Sequence, residues 1–94
     1  MEDRKIYVDK MKAQLKVLEA DLKKLEARTE KVKLDLQSTY KKQMTELRNR
    51  MEVMQKKVHE LSASTDDAWT ELKQGLEKSW KELSKAFSKA RSKY

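Results

Sequence analysis

The stretch Ala27–Met44, ARTEKVKLDLQSTYKKQM, lies in the middle of an apolar stripe that begins at Val8 and ends at Leu61. Before it, Val8, Met11, Leu15, Leu18, Leu22, Leu25, Thr29 and Val32 recur in alternating steps of three and four, which keeps them on one face of a helix. After it, Met44, Leu47, Met51, Met54, Val58 and Leu61 do the same. Within it the phase slips: Thr29, Val32, Leu36, Tyr40 and Met44 are spaced three, four, four and four, or fifteen residues in four turns, which locally relaxes a left-handed supercoil. Three readings fit the slip. It is a skip residue in a continuous rod, or a change of partner from intermolecular to intramolecular packing, or a break at Gln37-Ser38-Thr39 that makes a compact three-helix bundle. Neither Gly nor Pro occurs in this stretch, so the pattern favours one helix over about residues 3–61.

Composition points the same way. The 94 residues are 41% charged and 37% hydrophobic, with no Pro and a single Gly, Gly75. That is too polar for a thick globular core and lacks the residues that punctuate hairpins, so an all-α rod or bundle forming one domain over 1–94 is expected. No apolar run approaches the roughly 18 residues that span a bilayer, and Met1–Lys12 has no hydrophobic segment like that of a secretory signal. A cytoplasmic location is the default expectation.

The stripe ends at Ser62-Ala63-Ser64-Thr65-Asp66-Asp67, a cluster of small and cap-forming residues. Either Ser64 pairs with Asp67 as a capping box or Thr65 caps with both aspartates facing the positive helix end. The turn is placed at 62–65 and a second helix at about 66–92. That helix is broadly apolar, with heptad rows Trp69, Leu76, Leu83, Ala90 and Leu72, Ser79, Ala86, and a flanking aromatic row Trp80, Phe87, Tyr94. Gly75 and Ala68 lie on its other edge, where they either admit a close neighbour or are plain surface positions.

Length then separates two halves of the stripe. A helix of about 59 residues is ~90 Å long, whereas the second is only ~40 Å, so folding back antiparallel it reaches about Asp35. In this helical hairpin Leu47, Met51, Met54, Val58 and Leu61 pack against Trp69, Leu72, Leu76, Trp80, Leu83 and Phe87. Val8, Met11, Leu15, Leu18, Leu22, Leu25 and Val32 are left uncovered, and a contiguous apolar seam of that kind marks an association surface. A homo-oligomeric coiled coil or bundle follows, an antiparallel dimer by preference because the core positions lack the β-branched-then-Leu order of parallel dimers; a separate protein partner is the other candidate. On the opposite face Ile6, Ala13, Ala20, Ala27 and Leu34 repeat every seven residues and would admit a further helix.

Chemistry is sparse. Cysteine is absent, His59 is the single histidine and has no co-ligand, and no glycine-rich phosphate loop exists, so no catalytic, metal or cofactor residues are assigned and an enzyme is not expected. The net charge of +7 comes from 23 bases and 16 acids. Residues 85–94 hold Lys85, Lys89, Arg91 and Lys93 with no acid, an end that suits an anionic lipid surface or, more plainly, complements a helix dipole. Nucleic-acid binding rests on the pI of about 9.6 alone. A membrane-surface role has the aromatic and leucine face of the second helix behind it, although such a stripe is more often core.

Asp67-Ala68-Trp69, Glu71-Leu72-Lys73, Gly75, Trp80, Glu82-Leu83 and the Lys- and Ala-rich aromatic tail resemble a group of small bacterial and archaeal coiled-coil proteins described as stress-response proteins. Exchangeable apolipoproteins are similar in a looser sense. Where members of the first group have Gly in the turn, this chain has Ser64 and Thr65. The resemblance implies a non-enzymatic helical protein associated with stress. The expectation is an oligomerising scaffold or interaction protein, with anionic membrane binding through residues 66–94 as the alternative and non-specific nucleic-acid binding behind both.

Overall fold

The computed structural model describes residues 2–93, with Glu2 described by its backbone alone; Tyr94, the last member of the aromatic row, lies outside them. Three helices and no strand are present among these residues: α1 (Glu2–Thr29), α2 (Leu34–Ser62) and α3 (Asp66–Lys93). The helix expected over 3–61 is therefore two helices, and the break falls at residues 30–33. Gln37-Ser38-Thr39, the place considered for a break, lies inside α2.

The break needs neither glycine nor a left-handed residue, because no described residue has positive φ. Lys33 turns extended at φ −59° and ψ 145°, and no side chain caps α2 there. Other groups hold the turn together. The Thr29 hydroxyl donates back to the Glu26 carbonyl at 2.7 Å, and the Lys31 amide donates to the Arg28 carbonyl at 3.1 Å. Gln37 reaches back from α2, its Nε2 donating to the carbonyls of Glu30 at 3.3 Å and Val32 at 3.2 Å. Most of the backbone groups freed by ending α1 thus find partners.

Energy explains why the chain turns. Val8, Met11, Leu15, Leu18, Leu22 and Leu25 are all buried, and at roughly 1.5–3 kcal/mol for each fully buried apolar side chain their burial outweighs a few helix hydrogen bonds worth about 1 kcal/mol net apiece. The slip in the stripe is the signature of this turn. Val32 and Tyr40 are half-buried and Leu36 is exposed, so the three slip positions leave the seam, which resumes at buried Met44.

At the second turn Thr65 is the cap: its Oγ1 accepts from the Ala68 amide at 3.4 Å and its carbonyl from the Trp69 amide at 3.0 Å. Ser64 instead closes α2, its hydroxyl donating to the Leu61 carbonyl at 2.7 Å. Arg4 meets Asp66 and Asp21 meets Arg91, so α1 and α3 run side by side in one direction with α2 antiparallel to both. The backbone of α2 lies close against each neighbour, while α1 and α3 stand further apart. The bundle measures 50 × 18 × 18 Å.

One core joins all three helices: Val8 to Leu25 of α1, Met44, Leu47, Met51, Met54, Val58 and Leu61 of α2, and Leu76, Leu83, Phe87 and Ala90 of α3, with Tyr7, Trp69, Leu72, Trp80 and Ala86 packed on it. The seam assigned to self-association is therefore satisfied within one chain, apart from half-buried Val32. The premise of an uncovered half fails because three helices of 28, 29 and 28 residues match in length, whereas a rod and a short arm did not. Gly75 is a surface position, since a Cβ added there meets nothing within 4 Å.

Candidate functional site

Two polar features stand outside the core. The first is a clasp where α1 begins. Arg4 donates to the Asp66 carboxylate at 2.6 Å, to the Ser64 carbonyl at 2.7 Å and to the Ser64 hydroxyl at 3.0 Å, while its guanidinium lies 4.5 Å from the centre of the Trp69 ring. Tyr7 meets Trp69 edge-on at 5.9 Å, holds the Lys73 ammonium over its ring at 4.8 Å and donates its hydroxyl to Glu77 at 3.3 Å. Burial first, and then the neighbouring Glu77 charge, pushes the Tyr7 phenol above its ordinary range. These contacts satisfy one another and lock α1 to the second turn and to α3. They hold the fold and leave no converging donor set for a ligand.

The second feature is the opposite end of the bundle, where α1 and α3 finish and α2 starts. Residues 27–45 and 84–93 carry nine bases: Arg28, Lys31 and Lys33 around the first turn, Lys41 and Lys42 on α2, and Lys85, Lys89, Arg91 and Lys93 on α3. Their acids are two, Glu30 and Asp35. The rest of the chain has 14 bases and 14 acids, so this end accounts for the whole net charge of +7. Of the acids bordering it, Glu26 pairs with Arg48 at 2.6 Å and Glu46 with Arg50 at 2.9 Å, while Glu82 lines the same groove as Lys85 and Lys89. Asp21 reaches Arg91 at 3.6 Å, drawing one of the nine sideways.

Magnitudes show that this is more than dipole compensation. Two helix C-termini and one N-terminus meet here, at about half a charge each, so the backbone offsets only about −0.5 of the excess. The cross-section is 18 Å, about two Debye lengths at physiological salt, and the lysines act on an approaching surface together. Lys85, Lys89 and Lys93 are exposed along an open groove of about 430 Å³ whose floor is Leu47, Ala86 and Ala90. Leu34, the first residue of α2 between Lys33 and Asp35, is 85% exposed, and Leu36 is 43% exposed.

Of the residues singled out in the sequence, Lys85, Lys89, Arg91 and Lys93 form one part of this end. Lys31, Lys33, Lys41 and Lys42 join them only because the chain turns at 30–33, and the missed signal was a run of 27–45 with five bases and two acids. The residues assigned to hairpin packing, Leu47, Met51, Met54, Val58, Leu61, Leu76, Leu83 and Phe87, are buried, and Trp69, Leu72 and Trp80 are half-buried against them. Of the aromatic side chains of α3 in the closed bundle, Phe87 is buried and Trp69 and Trp80 are half-buried. His59 is exposed, and no group of His, Cys, Asp or Glu suited to a metal ion occurs among the described residues. No described helix is long and apolar enough to cross a membrane. No family model, no curated protein and no solved structure matches this chain.

Proposed function

We propose that this chain is a non-enzymatic docking module, a closed three-helix bundle that attaches through its basic end to an anionic surface. The observation that carries the reading is the segregation of charge: the full +7 lies at one end of a 50 Å bundle whose remainder is neutral. Such an arrangement steers and orients a partner of opposite sign, and it is sensitive to salt. The resemblance to stress-associated coiled-coil proteins, carried most specifically by the motifs from Asp67 through the Lys- and Ala-rich tail, is in keeping with a binding role and adds no partner.

The test compares two variants of equal net charge. Lys31→Glu, Lys33→Glu, Lys89→Glu and Lys93→Glu together should abolish retention on a phosphate-bearing cation exchanger at moderate salt while leaving the helical circular dichroism intact. Lys5→Glu, Lys12→Glu, Lys56→Glu and Lys78→Glu together should bind more weakly than the parent but clearly better than the first set. Equal loss in both would mean that net charge alone, and no site, drives binding.

Self-association is a second reading, now carried by a different surface. Ile6 and Val17 are each 62% exposed on the outer side of α1, in line with exposed Ala13, Ala20 and Ala27. A scaffold would assemble through this row, and Val17→Glu would then halve the mass seen by sedimentation without unfolding the bundle.

A further inference from the structure

We infer that the anionic surface is a lipid bilayer, and that the bundle stands on it end-on with Leu34 entering the acyl boundary. The inference rests on the docking reading above and names its partner. An isolated exposed leucine is ordinary. Leu34 is 85% exposed, however, and it is the first residue of α2, directly after Lys33, with Asp35 next to it and Lys41 and Lys42 two turns further on.

Different anionic partners use such a tip differently. A nucleic-acid backbone gains from the lysines but offers nothing to an aliphatic side chain placed among them. A bilayer takes both, because ammonium groups meet the anionic headgroups while a leucine reaches the acyl boundary beneath. Orientation follows from the rest of the molecule. Outside residues 27–45 and 84–93 the chain carries equal numbers of acids and bases, and the apolar face of α3 that would lie flat on a membrane is buried, with Leu83 at 1% and Phe87 at 0% exposure. Contact through the end needs no unfolding, so the bundle binds closed, with its 50 Å axis steeply inclined to the surface. Trp69 is then at the far end beside Arg4, and Trp80 lies about three turns along α3 from it, both held away from the lipid.

Vesicles of phosphatidylcholine with and without phosphatidylserine, carrying brominated acyl chains, test this directly. The parent protein should bind the phosphatidylserine vesicles with little quenching of its tryptophans, and Leu34→Trp should add a strongly quenched emission. Leu34→Ser, at a site too exposed to disturb the fold, should lower vesicle affinity about tenfold and leave duplex-DNA binding unchanged. Quenching of the native tryptophans would overturn end-on docking, and vesicle binding by Leu34→Ser equal to the parent would overturn the lipid assignment. If the four-site Glu variant binds vesicles and DNA as the parent does, the docking reading itself fails. If only that variant matters and Leu34 does not, docking stands and the bilayer inference falls.

Discussion

Leu22→Ala is the sharpest probe of whether the N-terminal stripe is sealed by its own chain. Leu22 has no exposure, and its neighbours along the seam, Leu18 and Leu25, are at 7% and 2%. Truncating a fully buried leucine costs about 2–5 kcal/mol, the sum of lost transfer energy and the cavity left behind. About 3 kcal/mol is a large share of the 5–15 kcal/mol typical of a domain, and at about 4–8 °C per kcal/mol it lowers Tm by about 12–24 °C. The assay is thermal unfolding followed by circular dichroism over about a hundredfold range of protein concentration. In a bundle closed by one chain the parent and the variant each melt at a Tm independent of concentration, because no association step is linked to folding. Refutation would take either of two forms. A variant melting within about 2 °C of the parent would mean that Leu22 is not in a core. A parent Tm that climbs with concentration, with Leu22→Ala halving the mass while the helices persist, would restore an intermolecular seam.

The other predictions concern the surface and the clasp. Gly75→Ala should stabilise the bundle by about 0.5–1 kcal/mol, raising Tm by a few degrees, since alanine is the better helix former and its Cβ meets nothing within 4 Å; an unchanged or lower Tm would reveal a partner packed at that position. Arg4→Ala should cost about 1–2 kcal/mol in denaturant titration, because it removes the bonds to Ser64 and the cation–π contact on Trp69 together with the ion pair. Asp66→Asn should cost less than about 0.5 kcal/mol, the carboxylate being 79% exposed and its pair screened by water and salt. Equal losses from the two would show that the ion pair, and not the Ser64 and Trp69 contacts, carries the clasp.

Much of the core could be read from spacing alone. The three-and-four steps of Val8 to Leu25 and Met44 to Leu61 pick out residues that are buried, and Leu76, Leu83, Phe87 and Ala90 were on the apolar rows of the C-terminal helix. Cap-forming residues marked the second turn, where Thr65 caps α3. The first turn carries no such mark. Glu30, Lys31, Val32 and Lys33 include no helix breaker, and the turn is stabilised by Gln37 from the following helix and by what it allows α1 to cover. Local propensity is worth tenths of a kcal/mol per residue, and the burial of six seam residues is worth far more. The phase slip from Thr29 to Met44 was the visible trace, and it admitted a rod, a change of partner and a break alike.

The basic end shows the same division. That the chain carries +7 is a property of composition, and that residues 85–93 lack acids is plain in the sequence. Gathering those bases with Lys31, Lys33, Lys41 and Lys42 at the end where Leu34 is exposed depends on the direction of α2, which the turn at 30–33 sets. By itself the sequence determined an all-α chain with one apolar stripe, because helix periodicity is local and is written into every three or four residues. Which stretch of stripe covers which, and therefore where the charge collects, was decided only by the tertiary structure. Pairing surfaces distant in the chain is a competition among burial energies that no single segment contains.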